Sequence, residues 1–110
     1  MDRSAITGKF FQTLNKLDWE GIEPFFAECS ILRIPGHVKV ARKDIVDHFK
    51  LFLQNLENLQ IHIQEMTTNE HSVWAYTDIM PHNHEHHCGF WAFKFDDDDK
   101  IVMLKLYTDL

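Results

Sequence analysis

The chain of 110 residues predicts an α+β domain, with three N-terminal helices packed on one face of a mainly antiparallel sheet. Two observations carry this. Apolar residues recur at helical spacing as far as Leu59 and then switch to a period of about 2. Polar turn clusters at Asn69-Glu70, Pro81 to Glu85 and Asp96 to Asp99 then divide the second half into strands.

The elements follow in order. Ser4 is an N-cap candidate, and Ile6, Phe10, Leu14 and Leu17 form one face of a first helix. Asp18 can cap a short second helix that turns Trp19, Ile22, Phe25 and Phe26 inward, and Pro24 keeps it short. Ser30 to Ile34 reads as a strand stopped by Pro35-Gly36. The third helix carries a wide stripe of Ile45, Phe49, Phe52, Leu53, Leu56 and Leu59, with Lys43, Asp47, Lys50, Gln54 and Glu57 off it. Ile61 and Ile63 alternate with His62 and Gln64, and strands are predicted at Ser72 to Met80, Cys88 to Phe95 and Ile101 to Thr108. Without repeat or linker, residues 1–110 form a single domain.

Composition narrows the function. A net charge of −6 offers no basic stripe for phosphate, so neither nucleic acid nor an anionic membrane surface is an expected partner. Protonating all eight His would move the charge to +2 (−6 + 8), so surface properties depend on pH near 6. Cys29 and Cys88 stand far apart and outside any CxxC spacing; they are expected as small buried residues with reduced thiols. Met1 to Ala5 leads straight into an amphipathic pattern, and no apolar run approaches ~18 residues, so a cytoplasmic protein is expected. Nine Phe and three Trp indicate a core filled with rings or a cavity lined by them.

The order of elements resembles the SnoaL-like superfamily, akin to nuclear transport factor 2, from about Lys9 to Asp109. Phe11 to Asp18 resembles the family's helix followed by Leu-Asn-x-Gly-Asp, with Leu17 where Gly is usual. Phe25 to Gly36 resembles the short helix feeding a strand that ends in Pro, with Ser30 where Asp is common. Ala41 to Phe49 resembles the start of the third helix, with Ala41 in place of Gly. Asp99-Lys100-Ile101 and Leu106 to Asp109 resemble the last strand and its aromatic-x-Asp ending. The resemblance implies a curved sheet around a long helix, a cystatin-like cone whose open end admits a small hydrophobic molecule. It leaves the reaction open, since members include isomerases, cyclases, dehydratases, epoxide hydrolases and non-catalytic assembly domains.

Phe10, Leu14, Phe49, Phe52, Leu53, Trp91 and Phe93 are the expected pocket lining. The ketosteroid-isomerase branch would need a phenol and two carboxyls where Phe10, Ile34 and Trp91 stand, so its chemistry is not expected. The epoxide-hydrolase branch implies Asp109 and Asp78 as an acid–base pair, with Arg33 supplying the positive charge that Tyr76 cannot. Strand parity bears on that. If Val73, Ala75, Thr77 and Ile79 face the cavity, then Trp74, Tyr76 and Asp78 face outward, and a one-residue bulge would reverse this. An outward patch of Trp74, Tyr76, Met103 and Tyr107 would suit a homodimer through the outer sheet face.

His82 to Cys88 carries four imidazoles and a thiol, but at a turn and in no fixed zinc spacing. Adventitious metal binding is expected there, and neither a native metal nor a cofactor. His48 and His62 read as core-edge histidines with a satisfied hydrogen bond.

Overall fold

The structure is a computed structural model that describes residues 2–54, 56, 59–80 and 86–109. Its helices are α1 (Arg3–Asn15), α2 (Trp19–Ile22) and α3 (Arg42–Leu53), with a 3-10 turn at Glu23–Phe25. Its strands are β1 (Phe26–Ile34), β2 (His37–Val40), β3 (Gln60–Thr68), β4 (Ser72–Met80), β5 (His87–Phe95) and β6 (Ile101–Thr108). The single sheet runs β2-β1-β6-β5-β4-β3. Among the described residues only the β1–β6 pair is parallel; the other neighbours are antiparallel. Register shifts near Gln64 in β3, between Phe26 and Ile31 in β1 and at the end of β5 add the local twist that bends a sheet around its helices.

Several local readings are revised. Asp2, not Ser4, caps α1: its carboxylate accepts from the Ser4 N–H at 3.1 Å and from the Ser4 hydroxyl at 2.8 Å. Asp18 caps α2, accepting from the Gly21 N–H at 3.0 Å. The helix α3 stops at Leu53, so Leu56 and Leu59 join the core from beyond it. Both cysteines are exposed rather than buried, and both are free thiols.

Leu17 and Ala41 hold positive φ angles of 54° and 79°. The backbone keeps the geometry that Gly provides without strain, with a Cβ added.

Inside the cone the rings fill space. Phe10 is fully buried and meets Phe11, Phe25, Phe26, Phe49, Trp91 and Phe93 edge-on. Leu14, Ile22, Leu32, Ile45, Val73, Ala75 and Leu104 close the remaining gaps, each fully buried. Asn15, at the end of α1, accepts from the Ile61 N–H at 2.7 Å and donates to its carbonyl at 3.1 Å. This satisfies the Ile61 backbone on the free edge of β3, where a further strand would otherwise pair.

At the narrow end, Arg3 lies over the Phe95 ring and donates to the Asp99 carboxylate at 3.1 Å. It also donates to the carbonyls of Glu70 and Asp96 at 2.9 and 3.0 Å, joining two hairpin turns.

Candidate functional site: the mouth of the cone

The opposite end is open. Here β1 ends at Ile34 and turns through Pro35-Gly36 into β2, while β6 delivers Leu106 and Thr108. On α3, His48, Phe49 and Phe52 face the same space because residues three and four apart share a helix face. Ile34, Pro35, His37, His48, Phe49, Phe52, Leu106 and Thr108 enclose a cavity of roughly 300 Å³. Its volume is at the lower end of small-molecule sites.

Deeper in, Phe49, Phe52, Leu53, Ile61, Ile79, Trp91, Leu106 and Thr108 surround only about 10 Å³, near the size of one water. The floor therefore closes the cone above the core. The Trp91 indole N–H in this floor is already engaged, donating to the Thr77 hydroxyl at 2.8 Å. Gly89 makes room for this bond, because a Cβ there would lie 2.6 Å from Thr77 Oγ1 and 2.8 Å from Trp91 Nε1.

His48 supplies the mouth with an imidazole. Its ring stacks on Phe52 at 6.2 Å and 13°. Burial, then the charge of Lys39, then His37 hold its pKa below the ordinary histidine range. The ring is thus neutral near pH 7 and has a nitrogen that accepts a hydrogen bond.

Of the seven expected lining residues, Phe49, Phe52, Leu53 and Trp91 line the mouth or its floor. Phe10, Leu14 and Phe93 do not; they are buried in the packed interior, where rings occupy the space a ligand would need. The sequence reading missed Ile34, Pro35, His37, His48, Leu106 and Thr108 as lining. The signal for Ile34, Pro35 and His37 lay in Pro35-Gly36, which turns the chain back into β2 rather than merely ending a strand.

The proposed carboxylate constellation does not assemble in the cone. Val73, Ala75, Thr77 and Ile79 are the buried residues of β4, so Asp78 belongs to the outer face. There its carboxylate meets His86 Nδ1 at 2.7 Å. Arg33 is exposed on the outer face of β1, in register with Lys105 of β6. Asp109 lies just past β6, its side chain 65% exposed, and accepts from the Cys88 N–H at 3.1 Å. Strand alternation thus puts Asp78 and Arg33 on the outer face, and Asp109 lies beyond the last strand.

The outer sheet face bears Trp74, Tyr76 and Tyr107, each about half exposed, around Phe90. His62 is exposed and hydrogen-bonds Gln60 at 3.0 Å. Residues 82–85 of the His-rich turn lie outside the described residues. Among the described residues, no group of three or more His, Cys, Asp or Glu side chains could hold a metal ion. No described helix is long and apolar enough to cross a membrane.

Solved structures share this architecture at low identity. A protein named as a SnoaL-like polyketide cyclase from Shewanella denitrificans OS-217 superposes with a TM-score of 0.86 at 10% identity, covering 97% of this chain and 90% of its own. The epoxide hydrolase/cyclase-like enzyme SalBIII, of pyran ring formation in the polyether salinomycin, gives 0.82 at 16% identity, covering 98% and 91%. An NTF2-like protein of unknown function from Cytophaga hutchinsonii ATCC 33406 gives 0.82 at 13%, covering 99% and 91%. No curated protein matches the sequence. The model of the SnoaL-like domain matches residues 8–104, and with the shared fold this places the chain in the SnoaL-like family.

Proposed function

We propose that this chain is a pocket protein that binds a small hydrophobic molecule at the mouth of its cone. The observation that carries the reading is the cavity of roughly 300 Å³ between α3, the β1–β2 hairpin and the end of β6. Its floor is aromatic and aliphatic, and its polar groups are few, as ligand sites require. No carboxylate lines it among the described residues, so this reading assigns the aspartate pair no part in binding there.

A ligand that binds only the folded state raises the melting temperature by mass action. Sterol, terpene and aromatic polyketide sets should include molecules that do so. Absence of a shift with all of them would rule the reading out.

A second proposal concerns assembly. Trp74, Tyr76 and Tyr107 leave one aromatic patch in water, and a homodimer through this face would cover it. Sedimentation at micromolar concentration should give a species of twice the chain mass, and a strictly monomeric profile would dismiss it.

A further inference from the structure

We propose that His48 is the hydrogen-bond acceptor that selects the ligand of this pocket, and that the ligand is a flat aromatic molecule bearing a free phenolic or enolic hydroxyl. The inference rests on the pocket reading above and names the chemistry that fits it.

Three observations converge on this assignment. The first is shape: the His48 ring lies nearly parallel to Phe52, at 13°, and edge-on to Phe49. Planar groups thus border the cavity, and a flat molecule can lie against them with little loss of conformational entropy. The second is hydrogen bonding. His48 has no hydrogen-bond partner among the described residues, in contrast to His62, whose ring meets Gln60, and His86, whose ring meets Asp78. Its nitrogens are available to water or to a ligand.

The third is charge. From β2, Lys39 and His37 face His48 and disfavour a proton on it. From α3 itself, Asp44 and Asp47 border a separate groove with His48 on the β2 side, away from the apolar cavity. A neutral imidazole has one accepting nitrogen, which a hydroxyl donor satisfies. An ether or a bare hydrocarbon of the same shape cannot donate to it. A ligand carboxylate would find only a neutral N–H there, rather than the charged donor that makes such contacts strong.

The probes are 2-naphthol, 2-methoxynaphthalene, naphthalene and 2-naphthoate, titrated into the intact chain while amide resonances report both affinity and location. With the wild-type chain, 2-naphthol should bind roughly five- to tenfold more tightly than 2-methoxynaphthalene, the loss expected when one hydrogen bond is left unmade. Resonances of His37, His48, Phe52 and Leu106 should move. His48→Phe keeps a flat ring against Phe52 and should abolish the preference, whereas His48→Gln keeps an acceptor and should retain part of it.

The outcomes separate the two readings. Equal binding of 2-naphthol and 2-methoxynaphthalene at the mouth would overturn the His48 assignment and leave the pocket standing. Tighter binding of 2-naphthoate would do the same. Failure of all four probes to bind, or shifts confined to another face, would overturn the pocket and the assignment together. A preference that persists unchanged in a folded His48→Phe would place the hydroxyl elsewhere.

Discussion

Phe10 and Phe52 both lie on the inward stripe of a helix, yet they do different work. Phe10 is enclosed by aromatic edges on every side and fully buried, while Phe52 is 42% exposed and stacks on a histidine. The interior is matched ring to ring, and little of its free energy depends on anything outside the chain. At the mouth the same residue type is left with an open side. Stability is concentrated in the filled interior, and the capacity to bind sits where packing is incomplete.

The largest expected contrast is between two truncations. Phe10→Ala should lower the unfolding free energy by about 3–5 kcal/mol, because the surrounding rings cannot collapse into the space it leaves. Phe52→Ala should cost about 1 kcal/mol or less, since half of its surface already meets water. Urea unfolding of both variants measures the difference, and similar losses at both sites would erase the distinction between the regions.

A gain of stability should come from the foot of α3, the helix that carries the mouth. Ala41 holds φ 79° and ψ 138°, a conformation close to one that only glycine adopts freely. Ala41→Gly should raise stability by about 1 kcal/mol, relief of strain exceeding the entropy that glycine adds to the unfolded chain. Unchanged or lower stability would show that the backbone there is not strained.

The smallest effect separates the mouth by its response to acid. The His48 pKa is lowered in the fold, so as pH falls below ~6.5 the unfolded chain takes up this proton first. Stability therefore drops through that window and levels off once the folded imidazole also titrates. In His48→Gln this part of the slope should vanish, as denaturation curves above and below pH ~6.5 would reveal; an identical slope would refute it.

The strands of the second half were legible because alternation and turn clusters bound them on both sides. Ser72–Met80 is a strand between the residues that the pattern marked. The four-residue β2 was too short to display a period, and the parallel β1–β6 pairing is a long-range choice that no local pattern states. At the site, periodicity identified apolar rings but could not separate those that line space, such as Phe49, from those that fill it, such as Phe10 and Phe93. That difference depends on which rings meet in three dimensions. The role of His48 stayed hidden for a related reason, since its surroundings depend on β2. By contrast, the departures at Leu17 and Ala41 from a family that carries Gly there did mark positions of positive φ.

The turn between β5 and β6 spells Asp96-Asp97-Asp98-Asp99-Lys100, the sequence that enteropeptidase reads before cutting the next bond. A protease must draw several residues into an extended conformation, and this turn is held otherwise. Asp96 accepts from the N–H groups of Asp98 and Lys100, each at 2.9 Å, and the Lys100 ammonium donates to the Pro24 carbonyl at 2.9 Å. Ile101, whose amide bond would be cut, is 1% exposed in a strand flanked on both sides. Cleavage thus requires β6 to leave the middle of the sheet. Treatment of the folded chain with this protease should therefore leave the turn uncut, and the extent of any nicking should track the molecules that have opened.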